Sequence, residues 1–342
     1  MDMIVSLFTT SITFGTIILF GAMGEILTEK SGNLNLGVPG IMYLGAIGGL
    51  VGSFLYELNA ATPIPVVGML IAIVCALAAS MLGGLLYSFL TISLRTNQNV
   101  TGLTLTIFAA GLANYLGGSL NTIAGGVGQI RVAATSGAFR ATQSLTDGLG
   151  VFDRLFCNYG FMAYFAIVVA IVLGFVLTRT SVGLNLRAVG ENPATADAAG
   201  ISVTKYKYLA TCIGAGISGL GGLYYVMDYI KGTWANDGNI EALGWLAVAL
   251  VIFATWKPVR AIWCSYLFGF LYWLYNFMPS ILEFGEKITG WNLPDMTRSA
   301  TEIFKMLPYL VTIVVLLIVS FRKKKEDQPP ASLGLAYFRE ER

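Results

Sequence analysis

Residues able to hold a phosphate, carry a proton or ligate a metal are sparse in this chain, and their spacing suits none of those tasks. The nearest approach to a phosphate-cradling loop is Gly24 to Ser31, GEILTEKS. Such a loop requires G-x-x-x-x-G-K-[ST], whose second glycine lets the backbone wrap the anion. Glu29 stands at that position and would set a carboxylate against the phosphate, so no nucleotide site is expected there. The 342 residues contain no histidine, which removes the commonest metal ligand and the side chain that titrates nearest neutrality. Of the four cysteines, Cys75, Cys212 and Cys264 fall in apolar runs and Cys157 in a loop, so no disulfide framework is expected. Asp228 is the one acid placed clearly inside an apolar run, beside Tyr229 and close to Lys231 at its outer end. A snorkelling or loop-facing acid is a simpler reading of it than an ion site. With no cluster of acid, base, thiol or metal ligand, the chain is expected not to be an enzyme and to hold no cofactor or metal itself.

What the chain offers instead is neutral hydrogen-bonding groups beside apolar ones. Asn35 opens one apolar run, which Pro39 and Gly40 are expected to interrupt, exposing backbone groups. Asn97 and Asn99, with Gln98 and Thr101, lead into another, and Asn114 and Tyr115 lie deeper in it. Tyr224 and Tyr225 lie in the outer half of a third. Amides, hydroxyls and rings of this kind suit a path for a neutral, amphipathic solute. They equally suit helix caps, interhelical hydrogen bonds and an interfacial aromatic belt, which is how Trp234, Trp245, Trp256 and Trp291 are read.

The elements that position these groups follow from composition. The chain is 56% hydrophobic and 12% charged, against about 25% charged in ordinary soluble domains. Crossing a hydrocarbon core takes roughly 20 apolar residues in helix. Runs of that kind lie at about 3–23, 35–57, 64–92, 100–122, 161–178, 207–230, 240–256, 259–282 and 303–321. An all-α, polytopic membrane protein with about nine transmembrane helices is expected, within a range of eight to ten. Residues 1–321 would form the membrane domain and 322–342 a tail. Arg322-Lys323-Lys324-Lys325 follows the last run and places the C-terminus in the cytoplasm by the positive-inside rule. The loops at 24–34, 93–99, 178–207 and 256–260 then fall inside, and those at 123–160, 231–239 and 283–302 outside. Basic residues sit at membrane edges rather than in one patch, which gives no footprint for nucleic acid. Two runs carry small residues at helical spacing, Gly45 and Gly49 with Gly48 and Gly52, and Gly214, Ser218 and Gly222. Such rows let helix backbones approach closely, within one subunit or across a dimer.

Between two apolar runs lies RAVGENPATADAAGISVTKYK, residues 187–207. Asn192 is a strong N-cap, Pro193 suits the first turn, and Gly200 suits the left-handed position that ends a helix. A helix of about seven residues over 192–200 is expected, and one so short is marginal by itself. Its small side chains suit a groove on a partner, with Glu191 and Asp197 offering charge for register.

This stretch resembles the cytoplasmic coupling segment of bacterial ABC importer permeases in the branched-chain amino acid and simple-sugar group. Within that group SGNLNLGVPGIMYLGA (31–46), TNQNVTGLTLTIFAAGLANYL (96–116) and PPASLGLAYFREER (329–342) are most similar to permeases of nucleoside importers served by basic-membrane-protein lipoprotein receptors. The resemblance implies a multi-pass subunit of a bacterial cell membrane, partnered by ATP-binding subunits that hold ATP and Mg, by a second, different permease subunit and by an extracytoplasmic lipoprotein receptor. Glu191, Asn192, Pro193, Ala194, Asp197, Ala198 and Gly200 would face the ATPase in the loop 181–207. Asn35, Asn97, Asn99, Asn114, Tyr115 and Tyr224 are the candidate path residues. Simple sugars or branched-chain amino acids are the alternative cargo, and an ion-gradient carrier the alternative mechanism.

Overall fold

The computed structural model describes residues 2–123, 130–141, 155–235, 238–289 and 327–338, with scattered positions between 306 and 317. Within them the regular structure is helical, apart from one isolated bridge between Arg131 and Thr233. The elements are α1 (Asp2–Lys30), α2 (Val38–Asn59), α3 (Pro65–Ser88, running on as a π-helical turn Phe89–Ser93), α4 (Gln98–Ile123) and α5 (Ala133–Phe139). They continue as α6 (Phe161–Arg179), α7 (Ser181–Glu191), α8 (Pro193–Ala198), α9 (Val203–Tyr224, with a π-helical turn Tyr225–Tyr229), α10 (Asn239–Phe253) and α11 (Pro258–Thr289).

Six of these, α1, α2, α3, α4, α6 and α9, are long and apolar enough to cross a membrane. The all-helical membrane class is therefore shown, and the count of nine is not. The apolar α10 has 15 residues and spans about 22 Å at 1.5 Å per residue, short of a full crossing. The expected span 303–321 falls mostly outside the described residues, as do much of the loops 123–160 and 283–302 and Trp291.

The centre of the bundle is α2 and α9, both mostly buried. The α9 helix packs on α1, α2 and α3, while α2 also meets α4 and α10, and α1 lies against α10 and α11. The two small-residue rows make these approaches possible within one chain. Gly24 and Gly214 face each other across α1 and α9, and Ser218 Oγ donates to the Gly21 carbonyl at 3.1 Å. Gly45 and Gly222 let α2 and α9 meet backbone to backbone, and Gly48 and Gly52 seat α2 on Cys75 of α3. An apolar bilayer supplies no hydrophobic drive between helices, so such close packing is what holds them.

Two boundaries differ from the hydropathy reading. The α1 helix does not stop at residue 23 but runs on to Lys30, burying Glu25 at 1% and Glu29 at 3% exposure. Contact with α9 at Gly24 draws the last turns under cover, where neighbouring groups donate to both carboxyls: Asn35 N–H to Glu25 Oε1 at 3.0 Å, and the Trp256 indole to Glu29. The second difference is at Pro39, which starts α2 rather than interrupting it. Proline has no N–H to lose in a first turn. Asn35 Oδ1 accepts from Gly37 N at 2.9 Å and turns the chain into the helix.

Candidate coupling face and solute cavity

The polar segment between α6 and α9 folds as two helices. Thr180 caps α7, its hydroxyl accepting from Gly183 N at 3.2 Å. Asn192 caps α8, its Oδ1 accepting from Thr195 N at 3.0 Å with Pro193 in the first turn. At the other end Gly200 takes φ +83°. Gly200 N donates to Asp197 O and Ile201 N to Ala196 O, each at 3.0 Å, the paired bonds of a Schellman stop. Ala196 is buried against Val189 and Val203, with Ile201, Tyr206 and Tyr337 around them. Glu191, Asn192, Thr195, Ala198, Ala199 and Gly200 are exposed, and Pro193, Ala194 and Asp197 half-buried. A six-residue rod is thereby fixed on one side and bare, small and shallowly contoured on the other.

A second strap holds it. Residues 327–338 run back across this end of the bundle. Asp327 accepts from Lys257 at 2.7 Å and from Arg260 at 2.9 Å, and the Lys257 hydrogen bond holds its carboxyl below the usual range. Ser332 donates twice to the Gly190 carbonyl, from N at 3.0 Å and from Oγ at 2.5 Å. Gly334 N reaches Gly32 O at 3.2 Å, and the Tyr337 hydroxyl donates to Asp197 Oδ2 at 2.9 Å. The Arg95 guanidinium lies 4.5 Å from the Phe338 ring centroid. This strap joins α1, α7, α8 and the α3–α4 corner. Beneath it a polar knot ties the helix ends together: Asn33 Nδ2 donates to Thr211 Oγ1 at 3.1 Å, Gln98 Oε1 accepts from Leu34 N at 2.7 Å, and the Tyr87 hydroxyl donates to Leu34 O.

Toward the opposite end lies a cavity of about 230 Å³ between α1, α9, α10 and α11. The π-helical turn of α9 presents Tyr225 and Tyr229 to it, stacked at 5.5 Å. Across from them Phe14 stacks on Tyr272 at 4.2 Å, and Tyr272 meets Trp273 edge-on. Asn239 and Asn276 add amides to the lining. The Trp273 indole Nε1 is buried with no hydrogen-bond partner among the described residues. A buried donor without an acceptor costs about 1–3 kcal/mol.

Residues 7–316 match the family described as the permease component of the branched-chain amino acid transport system. The chain belongs to this family. A Haloferax volcanii protein assigned by its name to a glucose ABC transporter permease is 32% identical over 99% of each chain. The nucleoside ABC transporter permease of Lactococcus lactis is 28% identical over 89% of each chain. The guanosine ABC transporter permease of Bacillus subtilis is 28% identical over 90% of this chain and 89% of its own. The chain is accordingly a multi-pass membrane permease of the ABC class, and not an enzyme.

The permease brings none of the six expected path residues to the aromatic cavity. Asn35 is spent on the turn into α2, and Asn97 Oδ1 caps α4 from Val100 N at 3.1 Å. Asn99 is exposed at the start of α4, and Tyr115 is 71% exposed on its outer side. Asn114 keeps a buried Oδ1 without a hydrogen-bond partner among the described residues, and Tyr224 is fully buried. Its neighbour Tyr225 lines the cavity instead. Asp228, in that same turn, is buried at 4% exposure rather than loop-facing. It backs onto Gly160, where any Cβ would strike its carboxylate, and it lies outside the cavity lining. The sequence reading missed Tyr229, Tyr272, Trp273 and Asn276. The one sequence signal for Tyr272, Trp273 and Asn276 was the density of aromatics over residues 266–277. Trp256, expected as an interfacial anchor, is buried and serves Glu29.

Proposed function

We propose that this permease forms the inward path for nucleosides in an ATP-driven importer, with α8 receiving the stroke of the ATP-binding subunits. The observation that carries the reading is the cavity of stacked rings and two amides. A nucleoside is neutral, has a ring face to stack and edge carbonyls and hydroxyls to accept, and base–aromatic stacking is worth about 1–3 kcal/mol per base. The names of the Lactococcus and Bacillus relatives agree with that cargo. The rest of the proposed assembly comprises ATP-binding subunits carrying ATP and Mg, a second and different permease subunit, a lipoprotein receptor on the outer side, and a cytoplasmic C-terminus in a bacterial cell membrane. The Haloferax relative favours a simple sugar as the second reading.

Competition separates the two. With the receptor and ATPase present, uptake of labelled uridine or adenosine should be blocked by unlabelled nucleosides and untouched by excess glucose, ribose or leucine. Tyr229→Ala should lower that uptake about tenfold, the loss of one part-buried ring of the cavity lining. Blockage by glucose would transfer the cavity to sugars. Uptake that persists without ATP and vanishes when the ion gradients collapse would replace the importer with a gradient-driven carrier.

A further inference from the structure

At the α8 end of the bundle the strap roofs a second cavity, of about 250 Å³, and its chemistry is unlike that of the aromatic one. Its floor is Lys207, which is 3% exposed and lines the cavity. Among the described residues the Lys207 ammonium makes no hydrogen bond and no ion pair. A buried, unpaired cation is costly, so the site invites a counter-charge. Arg95 supplies a second cation at the rim, held in a left-handed backbone at φ +58° and stacked over Phe338.

The wall between them is the start of α9. Ser202 stands at its N-cap and makes no side-chain cap bond, and Ser202, Val203 and Thr204 all line the cavity. The first turn of a 22-residue helix thus lines the same cavity as Lys207, and a helix N-terminus favours an anion by both hydrogen bonding and the helix dipole. Gln98 and Asn33 complete the polar lining. One acid is present, Asp197, and its Oδ2 is occupied by the Tyr337 hydroxyl. Donors and positive charge outnumber it.

We propose that this cavity binds a small oxyanion of the phosphate class, gripped by Lys207, Arg95 and the N-terminus of α9. Because Leu335, Ala336 and Tyr337 form its roof, the bound anion fastens the 327–338 strap over α8. The site is independent of the solute the permease carries, so failure of the nucleoside reading leaves it untouched. The same phosphate chemistry is available from free phosphate or from an anionic lipid headgroup, and the experiment has an arm for each.

The full-length chain, purified with its partner subunits, is placed in phosphatidylcholine nanodiscs and titrated with radiolabelled inorganic phosphate. Nanodiscs containing phosphatidylglycerol are prepared in parallel, and the lipid co-purifying with the chain after detergent extraction is quantified. Saturable phosphate binding identifies free phosphate as the source. Selective retention of phosphatidylglycerol identifies the headgroup. In either arm Lys207→Met should weaken binding about tenfold or more and Arg95→Gln by less, while Lys207→Arg preserves it, in line with the loss of one charge-assisted contact. Removing a buried unpaired charge should leave the thermal melting point of Lys207→Met at or above that of the parent, which guards against simple misfolding. The proposal is overturned if neither arm shows saturable binding, or if Lys207→Met binds like the parent. It is equally overturned if phosphate binds only after residues 339–342 are deleted, since Glu340 and Glu341 of the chain would then be the natural occupants.

Discussion

Replacing Ala198 by Arg should reduce solute uptake to background while the chain still inserts, folds and assembles. Ala198 is on the bare side of α8 and touches nothing that holds the helix in place, so its enlargement has no folding cost within the chain. In the docking proposed for α8, a side chain inserted against a groove shaped for alanine costs about 1–3 kcal/mol, and a guanidinium desolvated without a partner adds several more. That sum is large enough to detach α8 from the ATPase or shift its register. Ala194→Arg should act in the same sense but at some cost in folding, because Ala194 is half-buried. Ala196→Arg is the contrasting control: Ala196 is packed against Val189 and Val203, and that variant should fail at folding. The measurement pairs uptake with ATP hydrolysis in the reconstituted complex. Hydrolysis that continues without stimulation by the loaded receptor marks uncoupling. Normal transport by an assembled Ala198→Arg complex would remove α8 from the coupling role.

The features that were legible in the sequence are the local ones. The Asn192 cap, the Pro193 start and the Gly200 stop each act over three or four residues, and the chain reads them the same way whatever surrounds it. The glycine rows were legible for a related reason, since a repeat of four is visible in sequence and admits few uses in a membrane. Which use it serves, packing within the chain, only the contacts reveal. The end of α1 was not legible. Hydropathy falls at Gly24, but the helix continues because Asn35, ten residues on, and Trp256, from the α10–α11 corner, donate to its carboxyls. Their contribution is tertiary. That corner itself carries two left-handed residues, Thr255 and Trp256, each at φ +52°, at a cost of order 1–3 kcal/mol apiece. Hydrogen bonds from Trp256 to Glu29 and from Arg260 to Thr255 hold it.

The candidate site divides along the same line. Path residues were sought as amides and tyrosines at run ends, yet amides at run ends are the residues that caps and turns consume, as Asn35 and Asn97 show. The cavity is instead built where four helices converge, from Phe14 near one terminus to Trp273 far along the chain. No window of sequence contains both. The strap was legible as a motif and not as a contact, since Ser332 and Gly190 are 142 residues apart. Lys257 and Arg260, at the loop 256–260, anchor that strap through Asp327.

The largest expected effect on the fold itself comes from a single methyl-bearing carbon. Gly222 sits where α9 crosses α2, and a Cβ there would lie on the Met42 carbonyl oxygen, 2.7 Å from its carbon and 3.2 Å from Ala46 N. These are backbone atoms of a buried helix and have no rotamer by which to retreat. Separation of α9 from α2 is then the remaining relief, and it would be shared by Gly45, whose own Cβ position falls on the backbone of Gly219. Overpacking of a tight core costs about 1–3 kcal/mol where side chains can yield, and more where only backbone can. Total stability is about 5–15 kcal/mol, so Gly222→Leu should leave little folded chain, and Gly222→Ala a chain with a clearly lowered melting temperature. Gly118 on α4 has nothing within 4 Å of its Cβ position, and Gly118→Leu should fold as the parent does. Size-exclusion chromatography of fluorescent fusions in detergent, with thermal ramps, reads all three. A monodisperse Gly222→Leu peak with an unchanged melting temperature would mean that α2 and α9 are not held at this separation, and the rigid centre on which both the cavity and the α8 face depend would have to be redrawn.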